Sequence, residues 1–393
     1  MSRKSFMWII RIVAVLILLI VLVPNILSYF SQPLVEDTEF GYGTDTVRAI
    51  VSAVVEEGMI TLGDVTQPYQ RLLVTVTEGN FEGQSFQIDF GTRQIRSDTT
   101  PILVGDRLMV TVSTLPDGSS SAHFTDFYRG NSLLLLFVIF VITSIAISGW
   151  KGVRSIFGIL LSLIVIIWII LPAIQQGRDP LLVTILGSTF FVGYSLYIIY
   201  GWNMKTHAAL LGSFLAMVIT GLIAVFFVNN AQLSGYGDEN MFFISQLTQH
   251  TLNVRNLLLA GIMIGTLGVL DDLVISQASA VFELYRNRPD LTFGELFTSA
   301  MNIGKDHIAS TVNTLVLAYA GASLPMLLLF SFRNVDLALA INLEFIAEEV
   351  VRTLVGSLGL FAAVPITTSI AAGVAVNYRN FGKLKVYLGP LNE

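Results

Sequence analysis

Two adjacent carboxylates, Asp271 and Asp272, interrupt an apolar run that begins at Asn256. At 100° per residue, the polar side chains that follow share one helical face with the second aspartate, within about 60° of one another: Asp272, Ser276, Ser279 and Glu283. Carboxylates at membrane depth are costly unless they face a protein interior or a water-filled path. The stripe therefore predicts a proton- or cation-binding site inside a membrane. The alternative is a structural role, in which the carboxylates bond to Thr or Asn side chains of other helices.

A second polar group stands at the start of a later apolar segment. On a helix, Asp306, Ser310 and Asn313 share one face, and His307 lies on the neighbouring face. A histidine beside an aspartate could relay protons or hold a cation. The alternative is that Asp306 caps the start of the helix, that Ser310 and Asn313 bond to other helices, and that His307 lies at the membrane interface.

The third polar group consists of Glu344, Glu348 and Arg352, spaced at i, i+4 and i+8 before another apolar segment. This spacing predicts that Glu348 and Arg352 pair along a helix. One interpretation is a salt-bridged helix at the outer membrane surface. The other is the outer vestibule of a conduit, because Arg352 directly precedes an apolar span and needs a partner there.

The composition is that of an integral membrane protein whose surroundings are the lipid bilayer. Apolar residues make up 53% of the 393 positions and charged residues 13%, against about 25% charged residues in a soluble domain. The mean hydropathy is +0.71. The net charge of −6 is spread thinly, which argues against a nucleic-acid partner. Cysteine is absent, so disulfides, thiolate metal sites and a lipoprotein anchor are excluded. No cofactor is predicted, and the question of a metal stays open.

The elements that must position these groups are about eight membrane-spanning helices in an α-helical bundle. The first is an uncleaved signal anchor within residues 1–30, and seven more follow at 131–149, 155–172, 180–200, 207–228, 256–276, 308–330 and 353–375. Lys and Arg concentrate in the loops on the side of the N-terminus, which predicts that both termini are cytoplasmic. If the sixth span starts near Leu257, Asp272 lies ~22 Å along it, in the cytoplasmic third of a ~30 Å core.

Three details of the membrane part depart from simple spans and loops. Asp238–His250 is weakly amphipathic and is predicted to lie on the outer membrane surface or to fold back. Thr292–Asn302 has apolar residues at helical spacing, which predicts a separate cytoplasmic interfacial helix. Pro325 and Pro365 lie inside the last two spans, where each favours a kink.

Residues 31–130 differ in character, with five strand-like runs separated by glycine-containing turns: Thr46–Glu57, Arg71–Glu78, Ser85–Phe90, Arg107–Thr114 and Ser121–Tyr128. They predict a small all-β, barrel-like (OB-like) extracytoplasmic domain inserted after the first helix. No aromatic and basic surface indicates an oligomeric ligand, so a structural or docking role is favoured. The predicted division is a signal anchor at 1–30, a β domain at 31–130, a seven-helix transmembrane domain at 131–376 and a cytoplasmic tail at 377–393.

Three stretches together resemble the YibE/F family of bacterial multispan membrane proteins: Gly265–Leu284, Ile303–Pro325, and Glu344–Arg352 with its continuation to Pro365. The resemblance covers roughly the whole chain, and the β domain corresponds to the longer of the family's two forms. It implies a multi-pass protein of the bacterial cell membrane, with a homo-oligomer or a shorter related membrane protein as partner. The family motif has one aspartate where this chain has Asp271-Asp272, so either residue could be the equivalent one.

The polar groups favour a secondary transporter or channel for a small ion or polar solute, with Asp272, Glu283 and Asp306 lining a proton- or cation-sensitive path. No P-loop is present in the sequence, so energy would come from a gradient or from a partner. The alternative is a non-transporting scaffold or envelope-assembly factor whose β domain docks a partner. An intramembrane enzyme with an Asp272–Asp306 dyad is disfavoured, because neither H-E-x-x-H nor G-x-S-x-G occurs. The chain is therefore predicted not to be an enzyme.

Overall fold

The computed structural model describes residues 44–92, 100–114, 119–248, 252–332 and 336–391. The predicted signal anchor at 1–30 lies outside these residues. The chain forms two compact units that divide after Thr143. The first unit contains a β sheet, and the second is a helical bundle.

The sheet of the first unit is antiparallel and curled. Its strands are β1 (Thr44–Leu62), β2 (Val65–Val76), β3 (Ser85–Phe90), β4 (Arg107–Thr114) and β5 (Ser120–Phe127), in the order β3-β2-β1-β4-β5. Apolar side chains alternate onto one buried face, as Leu72 and Val74 do in β2. Register shifts interrupt β1, and the rings of Phe90 in β3 and Phe124 in β5 lie 4.9 Å apart, so the two sheet edges approach each other. The small β domain is confirmed in this coarse form, and its OB-like classification stays a prediction.

The first hairpin is longer than predicted. The sequence predicts that the first strand ends at Glu57 and that the second begins at Arg71. In the structure both strands are longer, and Leu62 pairs with Val65 across a two-residue turn. Gly63 takes a φ of 63° in this turn, a conformation that glycine adopts without strain. Because the run between the two predicted strands mixes polar and apolar residues, its strand character does not emerge from alternation alone.

The helices of the second unit begin with one that is shared across the division of the chain. In order they are α1 (Gly130–Ser148), α2 (Trp150–Val165), a π-helical turn (Ile166–Ile170), α3 (Leu171–Gln175), α4 (Pro180–Tyr200), α5 (Met204–Asn230), α6 (Glu239–Leu247), α7 (Val254–Asn287), α8 (Phe293–Ala322), α9 (Leu324–Phe332), α10 (Leu337–Ala340), α11 (Glu344–Asn377), a 3₁₀ segment (Tyr378–Leu384) and α12 (Lys385–Leu388).

Six helices among the described residues are long and apolar enough to cross a membrane, and a bent pair makes up to seven. In chain order they correspond to the seven spans predicted after residue 130. The bent pair is α8 and α9, which meet at 61° around Ser323, shortly before Pro325. The membrane-protein class is thereby confirmed. The total number of spans, their orientation and the sides of the termini stay predictions.

One predicted detail of the helices differs from the structure. The separate interfacial helix at Thr292–Asn302 is wrong, because α8 runs without a break from Phe293 to Ala322. Gly304 lies within this continuous helix. Because it has no side chain, Gln277 and Val364 of neighbouring helices can pack closely against it. α11 contains Pro365 and is continuous from Glu344 to Asn377, and the predicted kink at Pro365 stays a prediction. Asp238–His250, predicted to lie on the surface or to fold back, contains the short helix α6.

α11 is the central helix of the second unit and contacts α5, α7 and α8. Glycines stand where it approaches α5 most closely: Gly359 of α11 lies against Thr220, and Gly212 of α5 lies against Thr367. A side chain at either glycine would overlap a threonine hydroxyl. Small residues at such contacts are a principal means of close helix packing in membranes. The two contacts also establish that α5 and α11 are antiparallel.

We expect Gly359→Ala to destabilise the helical unit by about 1–3 kcal/mol, because the new methyl group is forced into the buried Thr220 side chain. Gly294→Ala in the first turn of α8 is the matched control, since no heavy atom lies within 4 Å of the position its Cβ would take. Thermal unfolding in detergent, followed by tryptophan fluorescence, compares both variants with the parent chain. Equal midpoints for the two variants would contradict the packing of α11 on α5.

Candidate functional site

A buried glutamine that the polar patterns did not indicate ties three helices together. Gln277 of α7 is 1% exposed, and its Nε2 donates to the carbonyl oxygen of Ala300 in α8 at 3.0 Å and to Oγ1 of Thr368 in α11 at 2.7 Å. Thr266 of α7 lies against Gly356 of α11, so α7 and α11 run in parallel. A single glutamine within an apolar run has no periodic signal, which explains why sequence reasoning missed it.

The contacts between helices set the height of the carboxylate pair. Because α5 is antiparallel to α11 and α7 is parallel to it, α5 and α7 are antiparallel. Gly221 of α5 lies against Met263 of α7. Asp272 is about nine residues further along α7, level with about residue 212 of α5, and thus ~12 Å inside the Met204 end of that helix. The pair is therefore well within the membrane-length part of the bundle.

Asp271 points toward the bundle and is not satisfied there. One carboxylate oxygen, Oδ1, is buried and has no hydrogen-bond partner among the described residues. The hydroxyl of Tyr194 in α4 is in the same situation. Tyr200, at the end of α4, lies within electrostatic range of both Asp271 and Asp272. Buried polar atoms usually have partners, and these are often ordered water molecules. The Asp271 oxygen can accept a hydrogen bond, take up a proton or bind a cation. The Tyr194 hydroxyl can donate a hydrogen bond to water.

Asp272 and the rest of its predicted stripe lie on the outward face of α7. Asp272 and Glu283 are exposed, and Ser276 and Ser279 are half-buried. Glu283 is ~16 Å further along the helix than Asp272 and pairs with Arg286 at 2.5 Å. The predicted stripe therefore lies on one face of α7, but its two carboxylates, Asp272 and Glu283, are at different positions along the helix axis.

The polar group of α8 also faces outward. Asp306, Ser310 and Asn313 are exposed, whereas the buried face of α8 carries Gly304 and Ile308, and His307 is half-buried. Asp306 lies about 160° from Gly304 around the helix, and Gly304 contacts α7. Asp306 therefore points away from α7, and the described chain does not bring it onto one surface with Asp272. The interpretation of Asp306 as an N-cap is wrong, because Thr292 caps this helix.

The third polar group holds a loop. Oε1 of Glu344 accepts hydrogen bonds from the backbone N–H of Ser234 at 2.5 Å, from its hydroxyl at 2.6 Å and from the N–H of Gly235 at 3.1 Å. Glu348, 5% exposed, accepts from the N–H of Gly237 at 3.1 Å. These carboxylates fix the segment that follows α5, which neither predicted interpretation included.

The predicted pairing of Glu348 with Arg352 is wrong. Nη1 of Arg352 pairs with Oε1 of Glu349 at 2.5 Å instead. The physical reason is that Glu348 faces the loop after α5, where backbone N–H groups take its carboxylate, and Glu349 is left on the side of Arg352. Nε of Arg352 is buried and has no hydrogen-bond partner among the described residues.

The described residues do not present the ligand set that a metal ion needs. The parts of the chain that the structure describes contain no group of three or more His, Asp or Glu side chains placed to hold a metal ion.

We expect Glu344→Ala to raise the hydrogen-exchange rate of the Ser234 and Gly235 amides by about tenfold to a hundredfold, because loss of a charged acceptor leaves these N–H groups to open more readily. Glu349→Ala is the control, since the Glu349 carboxylate pairs with Arg352 of the same helix and not with the loop. Unchanged exchange at both amides would show that the carboxylate does not hold the loop.

The comparisons with known proteins agree with the helical part of the structure. A family model described as YibE/F-like protein matches residues 136–377, well over half of the chain. No curated protein and no solved structure matches the chain. The matched residues include α7, α8 and α11, which carry the three polar groups. The chain therefore belongs to the YibE/F-like protein family.

Proposed function

We propose that this protein is a secondary transporter or channel for a small ion or polar solute, and that Asp271 and Asp272 of α7 form its proton- or cation-sensitive element. The single observation that carries the proposal is a carboxylate oxygen of Asp271, within the membrane-length part of the bundle, that is buried and has no hydrogen-bond partner in the described part of the chain. A buried carboxylate oxygen kept there for structural reasons would be expected to have a hydrogen-bond partner, as Oε1 of Glu344 has.

The two neighbouring carboxylates have different surroundings, which suits a binding element. Asp271 has a buried oxygen and lies within electrostatic range of Tyr200 at the end of α4. Asp272 is exposed on the outward face of α7. Binding of a proton or cation at one carboxylate changes the electrostatic cost of binding at the other, since like charges so close repel. A gradient of that ion is then the energy source that fits a chain without a P-loop.

The polar faces of α7 and α8 point outward, which supports a complex of two or more membrane proteins as the conducting unit. Among the described residues, Asp272 of α7 and Asp306 of α8 are exposed, and a carboxylate that faces hydrocarbon is costly. The positions of Gly261 and Gly268 on α7 are open to close approach by another helix. We infer that a second copy, or a shorter related membrane protein, covers these faces and completes the path.

The second candidate function is a scaffold whose β domain docks another protein. It is favoured by exposed apolar side chains on the β1–β2 hairpin and on the segment before β4. Val55 is 56% exposed and Met59 65% exposed, and Leu103 and Val104 are each 63% exposed. Such residues on a small domain are typical of interaction sites when they form a patch.

In liposomes under imposed pH and cation gradients, we expect the parent protein to conduct and both Asp271→Asn and Asp272→Asn to reduce flux by at least about tenfold. The reason is that the amide keeps the shape but removes the charge that attracts the ion. Glu283→Gln is the matched control, because Glu283 is an exposed, ion-paired carboxylate of the same helix. It should conduct normally.

Normal flux in folded Asp271→Asn and Asp272→Asn variants would contradict the proposed site. If such variants also keep full biological activity while deletion of residues 44–128 abolishes it, the scaffold becomes the better interpretation. Thermal unfolding of each variant separates a lost site from a lost fold.

Self-association can be tested by cysteine cross-linking, because the chain contains no cysteine. We expect Ser276→Cys in α7 and Ser310→Cys in α8 to give disulfide-linked dimers in the membrane. Leu222→Cys is the control, since Leu222 is an exposed apolar residue of α5 outside both polar faces. If both serine variants stay monomeric, a second copy does not cover the polar faces of α7 and α8. The shorter related membrane protein then remains as the partner that covers them.

A further inference from the structure

A cavity of about 320 Å³ opens where α7 and α11 end, apart from the carboxylate pair. Phe282 and Tyr285 of α7, both buried, line it, and Tyr378 lines it from the residues that follow α11. The rest of its wall comes from the turn after α7 and from the chain after α11, with Arg286, Pro289, Arg379 and Leu391. Its lining thus combines aromatic and apolar surface with two guanidinium groups.

The cationic groups of this cavity are not equivalent. Arg286 is paired with Glu283 at 2.5 Å. The guanidinium of Arg379 is exposed and has no ion-pair or hydrogen-bond partner among the described residues. Lys385 stands nearby, where its Nζ donates to the carbonyl oxygen of Arg379 at 3.0 Å and lies 5.1 Å from the centre of the Tyr378 ring. The mouth of the cavity therefore carries excess positive charge.

We propose that this cavity binds a phosphate ester, and that the source of this group is the headgroup of an anionic phospholipid. A guanidinium presents paired N–H donors that match phosphate oxygens. Basic cavities between membrane helices bind lipid headgroups in this way. The volume is near the lower end of ligand cavities, ~300–1,000 Å³, which suits a glycerol phosphate with its acyl chains left outside.

Hydrogen bonds hold the tail wall of the cavity in place. The segment from Tyr387 to Leu391, called the tail here, is bonded to the turn between α4 and α5 and to the start of α5. The Nε1–H of Trp202 donates to the carbonyl oxygen of Tyr387 at 2.8 Å. The backbone N–H of Met204 donates to the carbonyl oxygen of Pro390 at 3.0 Å.

Further bonds anchor the same tail. The Nε2–H of His207 donates to the carbonyl of Leu388 at 2.9 Å. The hydroxyl of Tyr378, itself part of the cavity, donates to the carbonyl of Gly389 at 3.1 Å. The wall is thus fixed without a ligand, so binding does not have to order it.

The test uses the full chain in nanodiscs of phosphatidylcholine, with and without phosphatidylglycerol. We expect native mass spectrometry to show retained phosphatidylglycerol, and the thermal midpoint to rise with its mole fraction. Arg379→Gln should weaken this binding by at least about tenfold, because a charged donor to phosphate is removed. Arg288→Gln is the control, since Arg288 pairs with exposed Asp290 and does not line the cavity. It should bind as the parent does.

A second arm offers glycerol 3-phosphate or inorganic phosphate to the protein in phosphatidylcholine alone. Binding of these ions that depends on Arg379, with no preference for phosphatidylglycerol, would keep the phosphate site and overturn the lipid as its source. Retention of phosphatidylglycerol that is equal in the parent and in folded Arg379→Gln would overturn the site. So would failure of both the lipid and the free ions to bind. Unfolding midpoints in phosphatidylcholine alone confirm that the variants are folded.

Discussion

The close approach of α11 to α5, α7 and α8 is the constraint on which the helical unit depends. Glycines at the tight crossings let the backbones meet, and the space they free is filled by Thr220, Thr367 and Gln277 of the neighbouring helices. In a membrane, packing of this kind stands in for the hydrophobic effect, which does not drive apolar helices together in lipid. The height and direction of every polar group then follow from this arrangement.

The polar groups of the bundle separate into two kinds once this packing is known. Gln277, Glu344 and Glu348 are buried or half-buried and have identified partners, so they hold helices and a loop together. Asp271 has a buried oxygen without one, and Asp306 faces outward. The first kind stabilises the fold that the chain already has. The second kind is where binding, transport or assembly can act.

Much of the fold could be predicted from the sequence, because apolar length and alternation are strong signals. The places of the long apolar helices after residue 130 and the positions of β3 and β4 follow from them. The outward direction of Asp306 could not be predicted. A helical wheel gives the angle between two side chains, but the packed side of the helix is decided by other helices. The pairing of Glu348 was missed for the same reason, since its partner Gly237 is distant in sequence.

The continuity of α7 has a mechanical consequence. One unbroken helix, with no proline between Val254 and Asn287, carries both Asp272 and the cavity residue Phe282, ~15 Å apart. A rigid rod of this kind moves as a piece, so a tilt or rotation at the carboxylates is also a movement of the cavity wall. If the two sites favour different positions of α7, thermodynamic linkage makes their coupling reciprocal. If both proposed sites exist, a bound lipid would change the affinity of the carboxylates for their ion, and the bound ion would change the affinity of the cavity for lipid by the same factor.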